Sequence, residues 1–125
     1  MSGSIRRVAI KDTKSVVIGT GATGQSAEVD LGGFELEAIM MPADWTAANL
    51  TFLGSNVSAG TFYDVYDSSG NELTVTAAED RMIGLTTAHK DVLKALRFIK
   101  IRSGTTATPV AQAASRTLVL VFKSK

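Results

Sequence analysis

The chain has no cysteine, which excludes disulfides and thiolate metal sites and fits synthesis in a reducing compartment. Histidine occurs once, at His89, so a serine nucleophile has a single candidate base. There are only two prolines and one tryptophan, and aromatic residues make up 6% of the chain. The longest apolar runs are four or five residues, as in Leu118–Phe122, whereas a membrane-spanning helix needs about 20. No apolar stretch follows the early pair Arg6 and Arg7, so no secretory signal is expected and the chain is expected to be soluble. Basic residues are also missing over a long span. Residues 15–80 hold no Lys or Arg and ten Asp and Glu, whereas residues 81–125 hold nine basic residues and one acid, Asp91.

The net charge of +1 gives no reason to expect a nucleic-acid partner, and no aromatic and basic residues interleave as a binding platform requires. The uneven charge distribution allows two readings. Antiparallel strands from both halves interleave and mix the charges, or the molecule has an acidic and a basic pole suited to contacts between copies or with a charged shell.

With 125 residues the chain is long enough to bury a core without staples, and its size predicts one domain. Residues 1–14 read as an arm or a first edge strand, and residues 15–125 as a single β domain. Strands are expected over Ser15–Ile18, Ala27–Leu31, Phe34–Met41, Asn49–Leu53, Met82–Leu85, Arg97–Arg102 and Arg116–Lys123. The last is apolar on both faces and so is expected to be central. Thr61–Tyr66 and Glu72–Thr76 read as a hairpin around the turn cluster Asp67–Asn71, with Leu73 and Val75 on one face. Ala43–Ala48 reads as one helical turn capped by Asp44, and Thr86–Leu96 as the one helix, capped by Thr87. About eight short strands, no βα alternation and at most one short helix predict an all-β, antiparallel β-sandwich of jelly-roll type.

Several motifs imitate chemistry. Gly19-Thr-Gly21-Ala-Thr-Gly24 matches a dinucleotide-binding fingerprint, but the seven residues Gln25–Leu31 before Gly32-Gly33 leave no room for the helix that must face the pyrophosphate. A surface loop is the better reading. Asp64, Asp67, Asn71 and Glu72 offer oxygen ligands, but Gly70 falls at the wrong place for a calcium loop, so a solvated turn is expected. Glu35 and Glu37 read as a solvent face rather than a glycosidase pair. His89 reads as a helix-start residue, and no Gly-x-Ser-x-Gly elbow occurs. Asn49 and Asn56 match glycosylation acceptors, which carry no weight without a signal peptide. No catalytic residue, cofactor or metal is expected. Trp45, Tyr63 and Tyr66 read as core or subunit-interface residues, or else as a sugar-stacking platform. Asp64 and Asp67 read as candidate contacts with a neighbouring subunit.

From about Val29 to Leu120 the chain resembles a family of small virion proteins of tailed phages and prophages. The likeness is carried by Asp30-Leu-Gly-Gly33, Met41-Pro-Ala-Asp-Trp-Thr-Ala-Ala48, Phe62-Tyr-Asp-Val-Tyr-Asp67 with Gly70, Ile99-Lys-Ile-Arg-Ser-Gly104, and Pro109-Val-Ala-Gln112 leading into Arg116-Thr-Leu118. The resemblance implies a β-sandwich without catalytic residues. Such a protein decorates or cements the capsid, often as a trimer, or forms the base of a head or tail spike or fibre. It implies as partners the major capsid protein and further copies of the chain, no membrane, and a place in the virion after assembly in the host cytoplasm. Arg6 and Arg7 are then the expected contacts with an acidic capsid surface. A carbohydrate-binding module on a spike, using Trp45, Tyr63 or Tyr66, is the alternative.

Overall fold

The computed structural model describes residues 11–124. Eight strands and one helix follow in the order β1 (Lys11–Ile18), β2 (Val29–Asp30), β3 (Phe34–Met41), β4 (Leu50–Ser55), β5 (Tyr63–Asp64), β6 (Arg81–Gly84), α1 (Thr87–Leu93), β7 (Phe98–Ser103) and β8 (Arg116–Ser124). They form two antiparallel four-stranded sheets, β1-β8-β3-β6 and β2-β7-β4-β5. The pairs β1·β8, β2·β7, β3·β6 and β4·β5 are nested, the first strand with the last and so on inward. A chain paired in this way is one long antiparallel ribbon wrapped into two layers, which is the jelly-roll arrangement. No described helix is long and apolar enough to cross a membrane.

Alternation along the strands builds the core between the sheets. Val16 and Ile18 of β1, Ile39 and Met41 of β3, Ile99 and Ile101 of β7, and Leu118, Leu120 and Phe122 of β8 are all buried. β8 is flanked by β1 and β3, with Ser15 and Met40 both opposite Val119, so it is central as its apolar composition predicts. β3 keeps its inward set across a bulge between Leu36 and Ala38, the irregularity that lets Leu36 and Ile39 both face the core. Burying Leu36, Ile39 and Leu120 is worth about 1.5–3 kcal/mol each before ordering costs.

Three local expectations are corrected. Strand β1 takes in Lys11–Lys14 as well as the expected Ser15–Ile18, at the edge of its sheet. Ala43–Ala48 forms no helical turn; the indole N–H of buried Trp45 donates to the Ala48 carbonyl at 3.0 Å and shapes an irregular loop. The hairpin turns back as expected, but only Tyr63–Asp64 is a regular strand. Its return limb is held by single bridges, Tyr66 with Glu72 and Val75 with Leu50.

The helix is shorter than expected and begins one residue earlier in its cap. The Thr86 hydroxyl accepts from His89 N at 3.1 Å, and His89 Nδ1 accepts from Thr86 N at 3.1 Å. This is a capping box with histidine in place of the usual Glu or Gln. Because Nδ1 accepts, the proton sits on Nε2, which donates to the Thr74 carbonyl at 2.8 Å. The only histidine thus ties the helix start to the return limb of the hairpin. His89→Ala is expected to cost about 1–2 kcal/mol in urea unfolding, with faster hydrogen exchange confined first to α1.

Candidate functional site

The most polar place in the fold is built around Arg102. In β7 its side chain alternates with those of Ile101 and Ser103 and points to the outer face of its sheet, beside its ladder partner Thr51. Asp64, opposite Leu53, shares that face, and the hairpin's return limb brings Glu72 over it. The guanidinium is 4% exposed. It donates to Asp64 Oδ1 at 2.7 Å, Glu72 Oε2 at 2.7 Å, Thr106 Oγ1 at 2.8 Å and Thr51 Oγ1 at 3.0 Å. Such a fork matches two carboxylates better than a lysine would. The Arg102 hydrogen bond holds the Asp64 carboxyl below its ordinary value, against the opposing effect of burial. Asp64 and Glu72 are engaged with one internal cation and fasten the hairpin and the loop after β7 to the sheet.

Asp64 and Glu72 were expected in a solvated turn; both are internal ion-pair partners of Arg102 instead. Asp67 does sit in the turn. Its carboxylate accepts from Ser69 N at 2.9 Å and Asn71 N at 3.0 Å, and Gly70 takes a φ of +82° that closes the tip. Among the described residues no group of three or more His, Cys, Asp and Glu side chains is placed to hold a metal ion.

A second buried knot centres on Gln112. Its Nε2 donates to the Thr46 carbonyl at 3.0 Å and to Ser103 Oγ at 2.7 Å, while its Oε1 accepts from Thr46 N at 2.8 Å and Arg116 Nε at 3.3 Å. Nearby, the glycine motif is structural. Gly24 has a φ of +64°, and a Cβ there would lie 2.9 Å from both the Ser103 and Val110 carbonyl oxygens. The motif's last glycine is packed against the end of β7, and no helix follows it.

The acidic and basic blocks of the sequence meet in space. Among the described residues Arg97 pairs with Asp30 at 2.6 Å, Lys90 with Glu37 at 3.5 Å, and Lys123 with Glu35 and Glu37 at 4.0 Å, beside the two Arg102 pairs. The interleaving reading therefore holds for these charges. Arg97, followed by the Gly32 backbone N–H, pulls the Asp30 carboxyl down to about 2. A carboxyl lowered in the folded state stabilises above its unfolded value and loses that contribution as pH falls through the folded one. Thermal stability should be level from neutral pH to about pH 4, then decline toward pH 2 as Asp64 and Asp30 take up protons. The Asp30 share should be the smaller and salt-sensitive one, because both partners are half exposed. Melts in Arg97→Gln should show a shallower acid limb.

The aromatic candidates separate. Trp45 is a core residue and offers no surface to a sugar or a subunit. Tyr63 and Tyr66 are 69% and 49% exposed and line one open groove of about 700 Å³ beside the β5 edge. Val57, Val92 and Leu96 complete its apolar wall. Its one acidic lining residue, Asp64, is engaged by Arg102, so the groove presents tyrosines and neutral groups. Arg6 and Arg7 lie outside the described residues. Sequence reasoning missed the roles of Arg102 and Gln112 and left Glu72 in a solvated turn. A usable signal was the run of acids without a local cation, which requires cations from distant strands.

No protein-family profile matches the chain, and no curated protein matches it. Among solved structures, the chain is similar to the crystal structure of the SPBc2 prophage-derived protein YomS. The TM-score is 0.53 with 12% identity, over 96% of this chain and 100% of that one. At that identity the likeness is one of fold, the β-sandwich of the described residues.

Proposed function

We propose that this chain is a non-enzymatic structural protein of a tailed-phage virion: a capsid decoration protein that binds the outer surface of the head. In this reading it contacts the major capsid protein and further copies of itself, and the resemblance favours a trimer. The observation that carries the reading is where the resembling blocks fall. Asp30, Thr46, Asp64, Arg102, Gln112 and Arg116 all belong to them, and these residues form the ion pairs and hydrogen bonds that lock the sandwich. The sequence likeness is thus concentrated at fold-determining polar contacts, and a prophage-derived protein has a similar fold. In this reading the interior polar groups serve the fold and the function lies in the contact surface. Many weak contacts repeated on a symmetric shell act together.

Arg6 and Arg7 are assigned to the capsid contact. Purified protein mixed with heads that lack it should restore occupancy in the wild-type form. The Arg6→Glu, Arg7→Glu double variant should bind about tenfold or more weakly while melting at the same temperature. Equal occupancy would remove the arm from the contact.

The exposed Tyr63 and Tyr66 favour a second reading, a glycan-binding base or adaptor of a spike or fibre. Stacking of sugar rings needs exposed aromatic faces beside neutral polar groups, which this groove has. Glycan-array binding lost in Tyr63→Ala and Tyr66→Ala would support it, and no binding by the wild-type chain would end it.

A further inference from the structure

The outer faces of the two sheets differ. On β2-β7-β4-β5 the chain covers itself: the ring of Phe62 lies 4.6 Å from Lys100 Nζ, and Glu72 and Thr106 close over Arg102. On β1-β8-β3-β6 the ladder places Ser15, Val119, Met40 and Met82 in one outward row across all four strands. The next row is Thr13, Val121, Ala38 and Gly84, and Val17 and Thr117 extend the face on the other side. None of these positions is charged, although 20% of the chain is Asp, Glu, Lys or Arg. Val17, Met40 and Met82 are 50%, 42% and 57% exposed. The nearest charges on β3 and β8, Glu35, Glu37 and Lys123, are paired at the margin, where Lys123 lies 4.0 Å from both carboxylates and Lys90 holds Glu37 as well. A solvated antiparallel sheet ordinarily shows polar residues at such positions.

We propose that this face is an isologous interface with a second copy of the chain, packed sheet on sheet across a two-fold axis. The inference rests on the self-association in the reading above, gives it a two-fold in place of the favoured three-fold arrangement, and is independent of the virion location. Three features select a second copy. The face is neutral, so an identical face covers it without burying or opposing a charge. It is a regular four-stranded sheet surface, and two such surfaces pack in alignment about 10 Å apart. Its size is that of a small specific contact. Ten positions spaced about 4.8 Å by 6.8 Å give roughly 330 Å² of projected area per copy. Side-chain relief brings the pair to about 1,000 Å², the low end of specific interfaces. A three-fold arrangement joins unlike patches, whereas this face is complementary to itself.

Sedimentation of the full chain over a dilution series tests the proposal. The expected mass is that of a dimer or a multiple of a dimer. Met40→Lys, and separately Met82→Lys at the exposed edge, should raise the dissociation constant about a hundredfold or more, with the far-ultraviolet spectrum unchanged. Tyr63→Lys, in the groove, should leave the mass as it is. A chain that is monomeric or odd-numbered throughout would overturn the inference. So would lysine variants that fold and associate like wild type, or dissociation by Tyr63→Lys alone. A monomer that still occupies phage heads overturns this inference and leaves the virion reading standing.

Discussion

Arg102→Met is expected to destabilise the sandwich by about 3–5 kcal/mol, a large share of the stability of a domain this size. The cost lies in what remains. Asp64 and Glu72 keep their positions over the sheet, lose the cation between them, and stand as two neighbouring carboxylates. Thr51 and Thr106 lose a donor at the same time. Arg102→Lys should recover only part of the loss, since an ammonium cannot reproduce the fork that reaches both acids and both hydroxyls. Replacing all three charged residues by apolar ones of similar volume should cost less than Arg102→Met alone. Urea unfolding of the four proteins gives the comparison, and equal stabilities for Arg102→Met and wild type would show that the cluster is not a fastener.

The second large effect is expected at Gly104. It follows β7, has a φ of +91°, and a Cβ there would lie 2.4 Å from the Thr108 carbonyl oxygen and 2.7 Å from Val110 N. Both obstacles are backbone, so no side-chain rotation relieves them. Gly104 also donates to the Asn49 carbonyl at 2.8 Å and accepts from Thr51 Oγ1 at 2.7 Å, which fixes it to the start of β4. Gly104→Ala combines a left-handed conformation for a residue with a Cβ, about 1–2 kcal/mol, with displacement of the 105–110 loop, about 1–3 kcal/mol. A loss of about 2–5 kcal/mol is expected. Gly21→Ala, where a Cβ meets nothing within 4 Å and φ is unexceptional, should be within about 0.5 kcal/mol of wild type. Thermal or urea melts of the pair separate a required glycine from a tolerant one inside the same fold.

These two sites also mark how far the sequence could be read. Alternation over Phe34–Met41 and Arg97–Arg102 is a local property, and it identified strands that the structure contains. The uniformly apolar Arg116–Lys123 run revealed a strand flanked on both sides for the same reason. The all-β class and the jelly-roll type followed from those runs. Partner choice did not. Arg102 meets Asp64 and Glu72 across separations of 38 and 30 residues, and Gln112 meets Thr46 across 66. No window of sequence contains both members of such a pair. Their geometry depends on the nested strand order, which fixes which outer-face residues become neighbours. The helix cap was displaced by one residue because Thr86 and Thr87 are alike as cap residues; the capping box with His89, whose ring is held by the Thr74 carbonyl, selects Thr86. Trp45, Tyr63 and Tyr66 were indistinguishable as sequence letters. Burial sends the first to the core and leaves the two tyrosines at the groove.

The uncharged sheet face was within reach of the sequence in part. Val17, Met40 and Val119 each stand at the outward phase of an alternating strand, but only the register places them side by side. A face of this kind fits the proposed contact between copies of the chain.

The most direct test of the structural-protein reading is a density reconstruction of any phage particle whose genome carries the gene for this chain. The account predicts a β-sandwich of this shape in many symmetric copies on the outer surface of the head, with its N-terminal end directed at the capsid shell. Purified particles that contain no copy of the chain would contradict it.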